Sequence, residues 1–184
     1  MHIGKFIMIS WILALGLLPG TAQAQDGISP VRVQDGISLV RTRDSIALVR
    51  MVESKFDMLN HQDVEGASEL YADSAKIRSI GFPDTLVGPP GFRSVYQRYF
   101  TTTPDLHFDL TRCIVAGHTL VVEYQTSGTV RHVEDPASSY MIDKPYSLEN
   151  CTIMEVRKGK IVSEMTYFDQ VSFLRQVGYF ARNY

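Results

Sequence analysis

Apolar positions change their spacing once along this chain, and the change divides it into two kinds of structure. Up to about residue 100 they recur every three or four residues; beyond Pro104 they alternate with polar ones. Ile46, Val49, Val52, Phe56 and Leu59 predict an amphipathic helix that Asp44 is placed to cap. Asn60 to Asp63 breaks it, and Val64 to Tyr71 reads as a second, short helix. Lys76 to Ile80 and Asp84 to Val87 read as short strands around a Phe82-Pro83 turn. Gly88-Pro89-Pro90 presets a third helix, whose apolar face is Phe92, Val95, Tyr96, Tyr99 and Phe100.

Leu106, Phe108 and Leu110 then alternate with His107, Asp109 and Thr111 in a strand running to the turn at Ala116-Gly117. Leu120 to Val130 is a long strand, Asp135 to Lys144 a polar loop, and Tyr146 to Val156 another strand. A Lys158-Gly159 turn joins it to a strand over Ile161 to Phe168. Val171 to Val177 closes the chain as a short helix stopped by Gly178. Helices first and an antiparallel meander afterwards is an α+β pattern. A sheet curved over helices on one face encloses a pocket.

Ahead of the first helix lie three nine-residue blocks, QDGISPVRV, QDGISLVRT and RDSIALVRM, from Gln25 to Met51. A step of nine turns equivalent residues to opposite sides, both in a helix of about 3.6 residues per turn and in a strand of period two. The copies therefore cannot share one buried stripe. Only the third is built to dock, because Ser45 and Ala47 replace the glycine and serine of its predecessors. The domain is expected over residues 43–184, with 25–42 a duplicated, flexible leader.

Composition adds bounds. The 184 residues are 45% hydrophobic and 21% charged, with a net charge of −2 and no basic cluster, which argues against a nucleic-acid partner. Residues 1–24 have the layout of a signal peptide: Lys5, an apolar run from Phe6 to Leu18, then Ala22-Gln23-Ala24. Cleavage after Ala24 would export the chain to a periplasm or the outside, with no membrane contact afterwards. Cys113 and Cys151 fall on different strands and read as small buried hydrophobes, a disulfide being permitted but not indicated. Asn150-Cys151-Thr152 matches a glycosylation sequon, but in mid-strand.

Three stretches together resemble the SnoaL-like polyketide cyclase branch of the nuclear transport factor 2 superfamily. They are LNHQDVEGASELYADSAKIR (59–78), VGPPGFRSVYQRYF (87–100) and GKIVSEMTYFDQVSFLRQVG (159–178). The resemblance implies a curved antiparallel sheet wrapped around three N-terminal helices, a cone-shaped, cystatin-like α+β barrel. It also implies acid/base chemistry in an apolar cone, with no metal and no cofactor. The cyclases' His and Asp align with Thr152 and Thr166, whose hydroxyls cannot act as bases at neutral pH. The steroid isomerases' Tyr and two Asp align near Lys55, Ser79 and Thr152, so neither catalytic set is carried over.

Strand alternation puts Val162, Glu164, Thr166 and Phe168 on one side, which the resemblance makes the concave one. Glu164 is then an acid aimed into an apolar cavity, where desolvation favours its protonated form and suits it to acid/base work. Asp169 is the second catalytic candidate, with helix capping as the rival reading. Thr152, Met154, Thr166, Phe168, Tyr71, Tyr96, Tyr99 and Tyr124 are expected to line the pocket or the core continuous with it. His107 and His132 read as outward-facing, and His61 and His118 as solvated; their spacing suggests no metal site. The expected function is binding of a small apolar molecule in the cone. Two alternatives stay open: a cofactor-independent isomerase, cyclase or hydrolase using Glu164, and a non-catalytic scaffold forming a homodimer through its exposed sheet face.

Overall fold

A computed structural model of the chain describes residues 43–80 and 84–183. The signal peptide, the duplicated leader and the Phe82-Pro83 turn lie outside the described residues. The helices are α1 (Arg43–Asn60), α2 (Val64–Ser68), α3 (Gly88–Thr102) and α4 (Gln170–Gln176). The strands are β1 (Tyr71–Ser79), β2 (Leu86–Val87), β3 (His107–Ala116), β4 (Thr119–Thr129), β5 (Pro145–Arg157) and β6 (Lys160–Phe168). A 3-10 turn, Pro136–Met141, breaks up the expected polar loop.

The α+β pattern holds, and the six strands form one sheet in the order β2-β1-β6-β5-β4-β3. It is mixed rather than wholly antiparallel. The hairpin-linked strands β3 to β6 pair antiparallel, but β1 runs parallel to β6. Strands joined by a tight turn must reverse direction; β1 and β6 are separated by α3 and four strands and need not.

Helices α1 and α3 lie on one face of this sheet, α1 over β3 and α3 over β1. The buried side of α1 is Ser45, Val52, Lys55, Phe56 and Leu59, with Leu48 packed beside it. Ile46, expected on that side, is 38% exposed: the stripe sits one position away from it, on Ser45. Val52, Phe56 and Leu59 each contribute about 1.5–3 kcal/mol on being fully buried, enough to fix the helix's rotation. Asp44 lies within the first turn of α1, not ahead of it. The second helix ends at Ser68, short of the expected Tyr71, because Tyr71 is already the first residue of β1 and pairs with Ile161.

Helix α3 buries Gly88, Phe92, Tyr96 and Phe100, on the side the sequence indicated. Its entry depends on Gly88, which has φ +61° and sits where any Cβ would strike the carbonyl oxygen of Asp73. Ring contacts then join the layers: Phe92 of α3 meets Tyr71 of β1 at 4.5 Å, and Phe56 of α1 meets Tyr124 of β4 at 4.8 Å between centroids.

A bulge in β6 corrects one expected face. Between the pairs Glu155–Ser163 and Val156–Ile161, β6 carries an extra residue, Val162. Ile161, fully buried, takes the inward place that alternation gave to Val162. Glu164 and Thr166 lie beyond the bulge and keep theirs. The two cysteines are free, on β3 and β5 with β4 between them. Cys113 pairs with Val122 on the inner face and Cys151 with Glu123 on the outer, so they point away from each other and cannot bridge.

Candidate functional site

Side chains of β1, β3, β4, β5 and β6 meet the apolar side of α3 around a cavity of about 110 Å³, with Arg78, Ser79 and Asp84 at its edge. Its walls include Phe108, Leu106, Val95 and Phe168, and its polar lining includes Glu164, Thr166, Tyr96, Tyr124, Thr126 and Asn150. Glu164, mid-strand on β6, is 3% exposed and paired with Met154 of β5.

Glu164 does not lie bare in this apolar surround. Lys55 of α1 donates from Nζ to Glu164 Oε2 at 2.7 Å, with both side chains almost wholly buried. Tyr71 of β1 donates its hydroxyl to the same oxygen. The Lys55 ammonium also sits against the rings of Tyr71, Phe92 and Phe56, at 5.4, 5.7 and 5.8 Å from their centroids. A lone buried charge is costly, and here charge, hydrogen bonds and ring faces together offset that cost. Among the described residues no buried side-chain nitrogen or oxygen lacks a hydrogen-bond partner. Among the described residues both of these bonds to Glu164 end on Oε2, and Glu164 itself lines the cavity.

Burial lowers the affinity of Lys55 for its proton, and the attraction and hydrogen bond of Glu164 oppose that shift. The tyrosines go the other way. Burial first, then the negative charge of Glu164, pushes the Tyr71 and Tyr96 hydroxyls well above their ordinary range. Tyr124 is also raised, mainly by burial, with its bond to Thr152 working against it. These phenols stay protonated at neutral pH and serve as hydrogen-bond donors, not bases.

A second polar chain runs beside the first. Tyr124 Oη and Thr152 Oγ1 are 3.1 Å apart, and Thr152 Oγ1 and Thr166 Oγ1 2.8 Å apart, across β4, β5 and β6. The positions that the resemblance gave to a His and an Asp are therefore adjacent in space, but they hold a hydroxyl relay with no ionisable group. Asn150 donates to Thr126 Oγ1 and to the Leu148 carbonyl, which holds its amide at the cavity edge. The glycosylation sequon at Asn150 is thus built into a strand and facing inward.

Of the residues expected to line the pocket, Tyr96, Tyr99, Tyr124, Thr166 and Phe168 do so. Tyr71, Thr152 and Met154 stand behind that surface: Tyr71 bonded to Glu164, Thr152 between two hydroxyls, Met154 fully buried in the core. Asp169 is exposed outside the cavity and accepts from the Ser172 backbone N–H at 2.9 Å, as N-cap of α4. That corrects its place among the catalytic candidates, because its carboxylate is engaged in holding a helix end. His61, His107, His118 and His132 are all exposed.

Sequence reasoning missed Lys55, Asn150 and Tyr146. For Lys55 a signal existed: it falls three residues after Val52 and four before Leu59, inside the apolar stripe of α1. A charge in that stripe, with an acid on the inward side of a strand, points to a buried pair.

A family model described as SnoaL-like polyketide cyclase matches residues 48–177. Solved structures give the same fold. A hypothetical protein from Catenulispora acidiphila, with a ketosteroid isomerase-like fold and in complex with trimethylamine, is 17% identical with a TM-score of 0.60, over 70% of this chain and 92% of its own. TsrD from Streptomyces laurentii is 20% identical with a TM-score of 0.62, over 72% of this chain and 96% of its own. IdmH from Streptomyces antibioticus, described as a candidate polyketide cyclase, is 22% identical with a TM-score of 0.59, over 71% of this chain and 97% of its own. At these identities the likeness is one of fold. No curated protein matches the sequence.

Proposed function

As the chain belongs to the SnoaL-like polyketide cyclase family, we propose that its cavity holds the polar end of a small, largely apolar carbonyl compound, on which Glu164 moves a proton. The observation that carries this is the anchoring of Glu164 through one oxygen only. Lys55 and Tyr71 hold Oε2, and Oε1 remains for a ligand. Lys55 and Tyr71 are positioning residues, since neither lines the cavity.

Oε1 accepts a proton from the carbon next to the carbonyl, and the electron pair moves onto the carbonyl oxygen as an enolate. Tyr96 lines the same cavity and keeps its proton, so it donates a hydrogen bond to that oxygen. Glu164 then returns the proton at another position, giving an isomer. Alternatively the enolate carbon attacks a second carbonyl of the same molecule, closing a ring, and the proton held by Glu164 passes to the alkoxide so formed. All of this is proton transfer at a carboxylate only 3% exposed, where a fixed donor and base are worth more than in water. Native mass spectrometry of the full chain with small aryl ketones tests the binding step. One ketone per chain is expected, weakened at least about tenfold by Thr126→Trp, which fills the cavity; binding unaffected by that change would overturn the placement.

The outer sheet face favours a homodimer as a second property. Ile114, Val121, Ile153 and Met165 form one cross-strand row through β3, β4, β5 and β6. Ile114 is 46% and Ile153 39% exposed. Beside the row, Arg112 forks onto Glu123, presenting both signs of charge at one place. A two-fold axis through such a row sets apolar against apolar and lets the two charge pairs face each other in opposite order. Export, by a signal peptide cleaved after Ala24, belongs to the same proposal; N-terminal sequencing of the mature protein should begin at Gln25.

A further inference from the structure

An open groove of about 760 Å³ runs along the first half of α1 and shares no lining residue with the cavity at Glu164. Its helical wall is Asp44, Ala47, Leu48 and Met51, a single stripe at spacings of three and four. Val115 of β3 and Val156 of β5 add apolar surface. His118 and Lys158, in the β3–β4 and β5–β6 turns, are exposed at the groove. Leu48 and Met51 pack against the core yet are only half-buried, so part of their apolar surface faces the groove without a partner.

What can cover this groove is set by where the chain enters it. The described residues begin at Arg43, and the next residue, Asp44, already lines the groove. The segment ahead, Asp35–Thr42, is therefore tethered at the rim, where even weak contacts act at a high effective concentration. Its eight residues reach about 26 Å when extended. The stripe from Asp44 to Met51 rises only about 10 Å, so the segment is long enough to turn back and cover it. Its composition fits as well. In an extended strand Ile37 and Leu39 project to one side, and Asp35 and Arg41 carry charges opposite to those of Lys158 and Asp44 in the lining. The first copy of the repeat lacks this pattern, because Pro30 stands where the second has Leu39. The nine-residue step denies the second copy a place in the buried stripe of α1, and the groove offers it a different surface.

We propose that Asp35–Thr42 lies in this groove as an extended strap, with Ile37 and Leu39 seated against Leu48, Met51, Val115 and Val156. It replaces the free leader expected from the repeat over these residues. The third copy then supplies the helical wall and the second copy covers it, so two of the duplicated blocks become the two sides of one contact. The domain begins at Asp35, not at Arg43. The strap stands apart from the proton-transfer reading, and either can fail without the other.

Trypsin reads this docking within a single chain. Arg32 and Arg41 each follow a valine and give one matched cleavage site in each copy. In the full chain, cleavage after Arg41 should be at least about tenfold slower than after Arg32, since a docked segment is cut only when it opens. Ile37→Asp combined with Leu39→Asp should bring the two rates within about twofold of each other. Ile28→Asp, in the first copy, should leave the ratio as it was. Ala47→Trp fills the groove from the helix side and must also release Arg41; if it does not fold, the Ile37 and Leu39 pair, which alters no described residue, decides alone. Equal rates at the two sites in the unmodified chain, or a difference that survives the Ile37 and Leu39 pair, would overturn the strap. Protection of Arg41 that fades on dilution would give the groove to the leader of a second copy, and would overturn docking within one chain.

Discussion

Lys55 and Glu164 stand 109 positions apart in the chain and 2.7 Å apart in the fold, one on the first helix and one on the last strand. Each is nearly inaccessible to water. Closing this pair ties α1 to the centre of the sheet and engages Oε2 of Glu164. A buried pair of this kind need not stabilise more than a well-packed apolar pair would, but breaking it from one side is costly.

Lys55→Met leaves the Glu164 carboxylate buried with only the Tyr71 hydroxyl, and Glu164→Gln leaves a buried ammonium. Removing one partner of such a pair costs about 3–5 kcal/mol, so each single variant should melt roughly 10 °C or more below the wild type. The double variant, with no buried charge, should recover most of that loss. Thermal melts followed by far-UV circular dichroism measure all four corners of the cycle; additive losses in the double variant would mean the two residues do not act as a pair.

Alkaline pH should unfold the protein through its tyrosines. Tyr71, Tyr96, Tyr99, Tyr124 and Tyr146 are all raised, by burial first. The sign follows from proton binding: above a pH of about 10 the unfolded chain loses phenolic protons that the folded chain keeps. Stability is therefore intact below that pH and falls as pH rises through the window above it, by up to about 1.4 kcal/mol per pH unit for each such tyrosine. Of the nine tyrosines in the chain, the three buried ones, Tyr71, Tyr96 and Tyr124, should ionise only as near-UV circular dichroism is lost. Smooth ionisation of all nine before unfolding would contradict the burial of the cavity wall.

Thr152→Val removes the central hydroxyl of the Tyr124–Thr152–Thr166 chain without changing the shape of the side chain. It should destabilise by about 1–3 kcal/mol, the cost of taking from the buried Tyr124 hydroxyl the stronger of its contacts with Thr152 and Thr166. Thr166→Val should cost less, because Thr152 can still bond to Tyr124. Chemical denaturation with an unchanged m-value checks both. Equal effects would mean that the chain does not run through Thr152.

The second-copy reading has its own check. Ile153→Lys places a charge in the centre of the outer apolar row and should turn a dimer into a monomer in sedimentation at micromolar concentration, with little change in melting temperature. A wild-type protein that is monomeric throughout that range contradicts the interface.

Much of the fold was legible because it is periodic. Helix α3 showed its buried face, and the meander its alternation, since every residue on those elements meets one uniform partner surface. Glu164 was legible for the same reason, as an acid in the inward phase of a strand. Asp169 was legible as a cap from its place just ahead of α4. The rotation of α1 was not, because Ser45 is buried and Ile46 is not, and only the sheet it packs against decides that. Nor was the environment of Glu164: Lys55 and Tyr71 approach it from distant segments, and a β6 bulge shifts Ile161 inward ahead of it. The parallel β1–β6 pair escaped local pattern altogether, as strand order is a property of the whole chain.

The central claim is that Glu164 Oε1 moves a proton on a bound carbonyl compound, and deuterium exchange measures that step without needing the natural substrate. An aryl methyl ketone that binds is incubated in D2O with the protein, and loss of its methyl proton signal is followed by NMR. The wild-type chain should exchange these protons well above the buffer rate, and Glu164→Gln should return the rate to that of buffer while still binding the ketone. Exchange by Glu164→Gln as fast as by the wild type, or a wild-type rate no faster than buffer for ketones it binds, would contradict the account.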